Sequence, residues 1–191
     1  MKCHIFTGPK NYNIQQLFQK NDGDYVIGAD QGALFLAELG IHFDLAIGDF
    51  DSVLPSDIEL IKKYADTFKE FPIKKNFTDT FLAVQEAWNQ GAVEIVLYGG
   101  VGQRFDHTYA NVLLLEMGNI TMVNDSLKMY VLSPGTYDIL NSYQYVSFFA
   151  VEDVKNLSLQ GFLYDVEDIT LPVGDPLCVS NQQEGTVSFT N

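Results

Sequence analysis

The chain has few basic residues. Its 191 residues include 11 lysines and arginines against 25 aspartates and glutamates, which gives a formal net charge of −14. Nucleic-acid backbones are bound through lysine and arginine, so this balance argues against a nucleic acid as partner. An anionic substrate must instead be met by a metal ion or by a few local cations, because the overall field of the protein is repulsive.

Long apolar runs and closely spaced cysteines are also missing. No run approaches the ~20 residues that span a bilayer, so we expect no membrane partner. Residues 1–9 are too short and too polar for a signal peptide and fit a first strand and its turn. Cys3 and Cys178 lie far apart without metal-type spacing. We expect both to be buried thiols in a reducing cytoplasm.

The first 125 residues alternate between strand-like and helix-like patterns. The strand-like runs lie at residues 3–7, 25–29, 44–47, 67–71, 94–98 and 120–123, and the helical patterns lie at 31–39, 56–64, 78–90 and 106–117. Alternation at this spacing predicts an α/β domain with a mostly parallel sheet. The apolar strands indicate that helices flank both faces of this sheet.

After residue 125 the pattern changes to short strand-like runs separated by glycine and proline turns. These runs lie at residues 128–132, 137–140, 146–151, 157–159, 168–171, 177–179 and 186–189, without a convincing helix. The pattern predicts a small all-β module, a sandwich or a barrel, over residues 126–191. A module of this size has a thin core, so we expect it to lean on the first domain or on a second copy of the chain.

The segment Ile47-Gly48-Asp49-Phe50-Asp51-Ser52 carries the clearest sign of chemistry. In an extended backbone, Asp49 and Asp51 point to the same side at the end of an apolar strand. Two hard oxygen ligands suit Mg²⁺, which takes one or two carboxylates together with substrate phosphates. An Asp-rich turn is the alternative interpretation, because aspartate also favours turns through its own hydrogen bonds.

Other polar groups follow neighbouring strands. Asp30 follows the second run and Asp79 the fourth, and a glycine-rich turn with the only arginine of the chain, Arg104, follows the fifth. Ligands of open parallel sheets bind outside the carboxyl ends of the strands, so we expect these groups to meet there. Asp30, and either Thr78 or Asp79, are also candidates to cap the helices that follow them.

The combined groups favour phosphoryl chemistry that works through metal ions, positioning and electrostatics. The glycines between residues 99 and 104 let backbone N–H groups approach a phosphate beside a helix start. The turn lacks the Gly-Lys-Ser/Thr of a P-loop. No Ser or Cys constellation supports nucleophilic catalysis.

Four linked motifs resemble the thiamine pyrophosphokinase family. In chain order they are Gly28-Ala29-Asp30-Gln31-Gly32-Ala33, the Asp-x-Asp segment, Thr78-Asp79-Thr80, and Gly100 followed by Arg104-Phe105-Asp106-His107 and Asn111. The resemblance covers nearly the whole chain. It implies an α/β catalytic domain at residues 1–125, a thiamine-binding β-sandwich at 126–191, and a homodimer. It also implies Mg²⁺-dependent transfer of diphosphate from ATP to thiamine, which gives thiamine diphosphate and AMP.

The resemblance also implies roles for individual positions. The positions that match the metal-holding carboxylates are Asp49, Asp51 and Asp79. The other positions expected at the reaction site are Asp30, Arg104 and Asp106. The positions that match the family's nucleotide-binding group are Gly100, Arg104 and His107. Lys75 is expected to meet ATP because its positive charge offsets the negative charge of the phosphates. The positions that match the thiamine-binding pair are Ser180 and Asn181, which in a dimer face the catalytic domain of the other subunit.

The sequence departs from the family pattern at four positions. Gln31 and Gln103 stand where glycine is usual, and Asn76 and Phe81 stand where acids are usual. The three acids expected to bind the metal remain, so we expect an active enzyme. The alternative role for Phe81 is to anchor its helix in the core. Two other functions stay open. One is a metal-dependent sugar-nucleotide transferase that uses the Asp-x-Asp segment, and the other is a thiamine- or nucleotide-binding protein without catalysis.

Overall fold

The structure is a computed structural model that describes residues 1–51, 53–72 and 76–191. The chain divides into two compact units, Met1–Val131 and Leu132–Asn191. The first unit alternates strands and helices, and the second consists of strands and irregular segments. The expected α/β fold followed by a small β domain is therefore confirmed.

The first unit is built on one large sheet. Its strands are β1 (Lys2–Phe6), β2 (Tyr25–Ala29), β3 (Phe43–Gly48), β4 (Ala65–Glu70), β5 (Glu94–Tyr98), β6 (Ile120–Asn124) and β7 (Leu127–Tyr130). Its helices are α1 (Ile14–Leu17), α2 (Gln31–Glu38), α3 (Pro55–Tyr64), α4 (Asp79–Asn89) and α5 (Phe105–Leu114). The strands lie in the order β4-β3-β2-β1-β5-β6-β7, and every neighbouring pair is parallel except β6 and β7.

Helices pack on both faces of this sheet because its central strands β1, β2, β3 and β5 are buried on both sides. Along β1, Ile5 belongs to the core beneath α4, whereas Phe6 belongs to the core beneath α2 and α3, as the two-residue period of a strand requires. Burial of one such side chain contributes about 1.5–3 kcal/mol to the free energy of unfolding, so both cores stabilise the sheet. In the part of the chain that the structure describes, no helix is long and apolar enough to cross a membrane.

The first unit extends six residues beyond the expected boundary at residue 125. Residues 128–132 are expected to open the β module, but Leu127–Tyr130 pairs antiparallel with β6. The side chain of Asn124 makes this hairpin tight, because its Oδ1 accepts hydrogen bonds from the N–H groups of Ser126 and Leu127. A hairpin strand has the same local pattern in either unit, so the sequence does not reveal which sheet it joins.

The second unit contains a four-stranded antiparallel sheet. Its strands are β8 (Gly135–Ile139), β9 (Val154–Gln160), β10 (Val166–Leu171) and β11 (Gly185–Thr190), in the order β10-β9-β11-β8. The expected strands at 146–151 and 177–179 are wrong, because only an isolated bridge between Val146 and Asn181 forms there. Phe148 and Cys178 from these irregular segments still pack on the core of the sheet, so they supply its second layer.

Both cysteines are buried free thiols, as expected. Burial, reinforced by the nearby carboxylates of Asp44 and Asp24, raises the pKa of Cys3 to about 12. A thiol with such a pKa carries almost no thiolate at neutral pH, so Cys3 is an apolar core residue and not a nucleophile.

Candidate active site

The candidate site lies at the carboxyl edge of the parallel sheet, where the strand order reverses. From β1 the chain moves to β2 on one side, while β5 pairs with β1 on the other side. Such a reversal leaves a crevice outside the strand ends, which is where ligands of open α/β sheets bind. Thr7 marks this crevice, since its N–H follows β1 and donates to the carbonyl oxygen of Tyr98 at the end of β5 (3.0 Å).

Asp30 leaves β2 with an unusual backbone conformation. Asp30 occupies the N-cap position of α2, as expected, with a φ of 46° and a ψ of −113°, although its side chain makes no capping hydrogen bond. Its N–H donates to the carbonyl oxygen of Ile47 (2.9 Å), which holds Asp30 beside the end of β3. Strained backbone of this kind concentrates at functional sites, which fits the site role expected for Asp30.

The Asp49–Asp51 segment is a turn and not an extended strand end. Strand β3 stops at Gly48, and Phe50 has a φ of 52°, so the expected extended geometry is wrong. The Phe50 ring is 3% exposed and stacks on Phe68, with ring centroids 4.6 Å apart. The N–H of Asp51 contacts Asp49 Oδ1 at 3.4 Å. A core-anchored phenylalanine therefore carries one carboxylate on each side.

Asp79 begins helix α4. Thr78 caps this helix, because its Oγ1 accepts a hydrogen bond from the N–H of Phe81 (3.2 Å). The next residue, Thr80, forms a hydroxyl–hydroxyl hydrogen bond with Thr7 (3.2 Å). This bond brings the start of α4, and with it Asp79, to the carboxyl end of β1 in the middle of the sheet.

The donor chemistry of the Asp49–Asp51 turn fits a hard divalent cation. Carboxylate oxygens are the ligands that Mg²⁺ takes from proteins, and one or two of them suffice when substrate phosphates supply the rest. Within residues 1–51, 53–72 and 76–191, no three His, Cys, Asp or Glu side chains form a group that could hold a metal. The assignment of Asp79 as a third metal ligand therefore stays a prediction.

The glycine-rich turn after β5 is held from two directions. Gly99 has a φ of 86°, and a Cβ at this position would lie 2.6 Å from the carbonyl oxygen of Thr7, so only glycine fits. From α5, the Asn111 amide donates to the carbonyl oxygen of Gly100 (2.9 Å), and the Thr108 hydroxyl accepts from the N–H of Gly102 (3.1 Å). The fourth sequence motif includes Asn111, but the contact of Thr108 with this turn was not predicted.

Arg104 stands at the start of α5, where the helix dipole favours anions. Its guanidinium contacts the Asp106 carboxylate through Nη2 (2.7 Å) and Nε (3.4 Å), and its side chain is 70% exposed. The hydrogen bond from Arg104 is the main reason that the pKa of Asp106 lies below its usual value. His107 Nε2 lies 4.0 Å from the same carboxylate. Asp106 thus pairs with Arg104 at the start of α5.

The thiamine-binding pair expected in the second unit divides into two different environments. Ser180 is exposed, with a φ of 62°, and its N–H donates to Ser147 Oγ (2.9 Å). Asn181 is only 2% exposed. Its amide donates to the Tyr164 carbonyl oxygen (2.8 Å) and accepts from the N–H groups of Tyr164 and Gln182 (2.9 Å each). The Asn181 amide therefore bonds backbone groups of its own unit, and its expected contact with thiamine stays a prediction.

Tyr164 is a candidate ligand contact that the sequence reasoning missed. The Asn181 amide forms hydrogen bonds with both the N–H and the carbonyl group of Tyr164, while the Tyr164 side chain is 63% exposed. An exposed aromatic ring on an immobilised backbone is suited to stack on a planar or cationic ligand. The only sequence signal is its place in a short turn, which many surface tyrosines share.

Comparison with known proteins assigns the family. The model described as thiamin pyrophosphokinase, catalytic domain, matches residues 14–130, and the model described as thiamin pyrophosphokinase, vitamin B1 binding domain, matches residues 136–191. A thiamine pyrophosphokinase of Bacillus subtilis (strain 168) is 32% identical over 196 residues, which cover 97% of this chain and 92% of the relative. The chain belongs to the thiamine pyrophosphokinase family. The expected family and enzyme class are thereby confirmed.

Solved structures of thiamine pyrophosphokinases share the fold over the whole chain. The crystal structure of the Bacillus subtilis protein superposes with a TM-score of 0.87 at 29% identity, covering 100% of this chain and 94% of that one. The Geobacillus thermodenitrificans protein gives a TM-score of 0.85 at 34% identity, with the same coverage.

Three of the departures from the family pattern, Gln31, Phe81 and Asn76, have defined surroundings. Lys75, which is expected to contact ATP, lies outside the described residues. Gln31 begins α2 beside Gly8, since a Cβ added to Gly8 would lie 3.2 Å from the Gln31 Cβ. Phe81 is partly buried against the core and stacks on Phe77, with centroids 4.9 Å apart, so its alternative role as a core anchor is confirmed. Asn76 is exposed.

Proposed function

We propose that this protein transfers diphosphate from ATP to the hydroxyethyl group of thiamine in a Mg²⁺-dependent reaction. The hydroxyl oxygen forms a bond to the β-phosphorus of ATP, the bond between that phosphorus and the oxygen bridging to the α-phosphate breaks, and AMP leaves. The hydroxyl proton passes to a carboxylate. Membership of the thiamine pyrophosphokinase family supports thiamine diphosphate as the product.

The observation that carries the proposal is the collection of phosphate-binding and acidic groups at one sheet edge. Asp30 follows β2, Asp49 and Asp51 follow β3, and the glycine turn that leads to Arg104 follows β5. Diphosphate transfer needs groups that position the nucleotide and offset its charge, and it needs no protein nucleophile. The inert Cys3 and the inventory of acids, glycines and one arginine agree with that requirement.

We assign each residue a proposed role. Asp49 and Asp51, with Asp79, hold the Mg²⁺, which when bound neutralises charge on the ATP phosphates. Arg104 binds phosphate oxygens from the start of α5, with Gly100, His107 and Lys75 as further contacts to ATP. Either Asp79 or Asp30 accepts the hydroxyl proton of thiamine.

The second unit is proposed to bind thiamine. Ser180 meets the pyrimidine ring, and Asn181 supports the site by fixing Tyr164, whose exposed ring faces the ligand. Thiamine carries a cationic thiazolium ring, which an aromatic face attracts. The chain's net charge of −14 adds a field that favours a cationic substrate.

A homodimer is part of the proposal. The second unit leaves large apolar side chains exposed, among them Leu140 (83%), Phe149 (67%) and Leu177 (60%). Apolar side chains of this size and exposure are available to a second copy of the chain, which would remove them from water. Light scattering after size exclusion should give twice the 21.4 kDa chain mass, and a monomer at micromolar concentration would contradict this part of the proposal.

The central experiment is product analysis. Purified protein with thiamine, ATP and Mg²⁺ should form thiamine diphosphate and AMP in equal amounts, as measured by chromatography. Omission of Mg²⁺, or addition of a chelator, should stop both products. Folded protein that releases no AMP under these conditions contradicts the proposal.

The product also distinguishes the two alternatives. A nucleoside diphosphate leaving group would indicate a sugar-nucleotide transferase. Calorimetric binding of thiamine or ATP without turnover would indicate a binding protein that has lost catalysis.

A further inference from the structure

Two buried threonine hydroxyls join the central strand to helix α4. Thr7 follows β1 and Thr80 is the second residue of α4, and their Oγ1 atoms lie 3.2 Å apart. Thr7 is 8% exposed and Thr80 is 7% exposed. The two residues are separated by 73 positions, so the bond joins distant parts of the chain.

The Thr7 side of this bond is rigid. Its N–H donates to the Tyr98 carbonyl oxygen (3.0 Å), and its own carbonyl oxygen accepts from the Tyr12 hydroxyl (3.2 Å). Gly99 packs so closely on it that an added Cβ would lie 2.6 Å from the Thr7 carbonyl oxygen. Thr7 is therefore a fixed point at the crevice between β1 and β5.

The Thr80 side transmits this position to Asp79. Consecutive Cα atoms are about 3.8 Å apart, so a fixed Thr80 leaves Asp79 little freedom. Thr78 holds the same turn from the other side by capping the helix at Phe81. Asp79 thus lies between two threonines whose hydroxyl groups are both used to hold the helix start.

Stability alone gives little reason for this pair. A net hydrogen bond contributes about 0.5–1.5 kcal/mol, and two apolar side chains of the same shape can replace such a pair at almost no cost. The hydroxyl bond has something that apolar packing lacks, which is direction. A directional bond between a fixed strand end and the residue after a proposed metal ligand sets where that ligand lies.

We propose that the Thr7–Thr80 hydroxyl pair is a positioning device that holds Asp79 in place for binding of the metal–nucleotide complex. The inference rests on the proposed function, because it takes Asp79 as a metal ligand. Thr7 and Thr80 are positioning residues and act through Asp79 without contacting the reacting atoms.

The test compares Thr80→Val and Thr7→Val with Thr80→Ser and Thr7→Ser. Valine keeps the shape and removes the hydroxyl, whereas serine keeps the hydroxyl. Mn²⁺, as a spectroscopic substitute for Mg²⁺, is titrated by electron paramagnetic resonance in the presence of a non-hydrolysable ATP analogue. We expect the valine variants to weaken Mn²⁺ binding by about 10-fold, the lower end of the effect of losing a group that orients a metal ligand. The serine variants should keep most of the binding.

Steady-state kinetics and melting give the second readout. The valine variants should lower kcat and raise the Mg²⁺ requirement, while the KM for thiamine changes little. The melting temperature of the double valine variant should change little, whereas each single valine variant leaves one buried hydroxyl without its partner and should melt at a lower temperature. The double valine variant should be no worse than either single variant, because both remove the same bond. Thr186→Val is the matched control, since its hydroxyl donates to Asp138 (2.8 Å) in the second unit.

The outcomes separate this inference from the proposed function. If the wild-type protein makes thiamine diphosphate and the valine variants bind Mn²⁺ as it does, the inference alone is overturned. The same holds if valine and serine variants lose binding equally. If the wild-type protein makes no product, the proposed function fails, and the Mn²⁺ titration still decides the inference. A wild-type protein that binds no Mn²⁺ overturns both.

Discussion

The two units of the chain hold their candidate site residues by different means. In Met1–Val131, the acids and the glycine turn follow the ends of parallel strands, so the sheet itself sets their positions. In Leu132–Asn191, Ser180 and Tyr164 lie on turns. The N–H of Ser180 donates to Ser147 Oγ, and the Asn181 amide bonds both the N–H and the carbonyl group of Tyr164. The first unit has two large cores and the second has one small core.

This difference suggests a division of work. A position held by a sheet with two cores moves little, so it suits catalysis, where small displacements cost rate. A position fixed by one buried amide is easier to disturb, and it suits binding of a ligand by stacking. Variants in the first unit should therefore change kcat, and variants in the second should change the KM for thiamine.

The largest effect is expected at the Asp-x-Asp turn. Asp49→Asn and Asp51→Asn should each lower kcat by about 10²–10³-fold, the range seen when one group that stabilises transition-state charge is removed. The melting temperature should stay unchanged, because both side chains lie on a surface turn that Phe50 anchors. Asp57→Asn, an acid in the first turn of α3, is the control and should keep full activity. Near-normal turnover in either variant refutes the metal assignment.

The next effect is expected at the exposed ring of the second unit. Tyr164→Ala should raise the KM for thiamine by about 10-fold, which corresponds to ~1.4 kcal/mol of lost stacking. The KM for ATP and kcat at saturating thiamine should change little, and Tyr164→Phe should restore most of the affinity. Tyr130→Ala removes a partly exposed tyrosine from the first unit and serves as the control. A change in Tyr164→Ala that is confined to kcat would contradict the proposal that the second unit binds thiamine and the first carries catalysis.

The buried amide beside that ring gives a third prediction, on stability. Asn181→Ala leaves the N–H and carbonyl groups of Tyr164 without their partners, which costs about 1–3 kcal/mol in the free energy of unfolding. Calorimetry should show the second unit melting at a lower temperature while the first unit is unaffected. Asn191→Ala, at the exposed chain end, should leave both transitions where they are. Equal losses in both units would mean that they unfold together.

The smallest effect concerns pH and belongs to the first unit. His4 is buried, its Nδ1 lies 3.0 Å from the Tyr98 hydroxyl, and its Nε2 lies 3.2 Å from Asp24 Oδ2. Burial lowers the pKa of His4 below its usual 6.5, although the hydrogen bond to Asp24 opposes this shift. The unfolded chain then binds the proton more readily than the folded protein does. Stability should be constant above about pH 7 and should fall as the pH drops below 6.5.

Melting curves between pH 7.5 and pH 5.5 test this prediction. His4→Gln should flatten the pH dependence, even though it lowers stability overall. His42→Asn removes an exposed histidine, and its stability should depend on pH as that of the wild-type protein does. The prediction is wrong if the pH dependence of stability disappears in His42→Asn and persists in His4→Gln.

Much of the site follows from the order of the elements alone. Alternating strands and helices place the carboxyl ends of the parallel strands at one edge, so the sequence predicts that Asp30, Asp49 and Arg104 lie there together. Backbone detail was not predictable. The left-handed Phe50 depends on its stack with Phe68, 18 residues away, and no local pattern in the sequence encodes that contact.

By itself, the sequence determined the fold class, the order of the elements and the chemical groups at the strand ends. Hydrophobic period and turn residues act locally, and they are enough to specify these features. Only the tertiary structure decided that β7 joins the first sheet, that Asn181 is buried as a holder of Tyr164, and that Thr7 meets Thr80. These three outcomes depend on contacts between residues far apart in the chain, where packing and hydrogen bonding choose among locally equivalent alternatives.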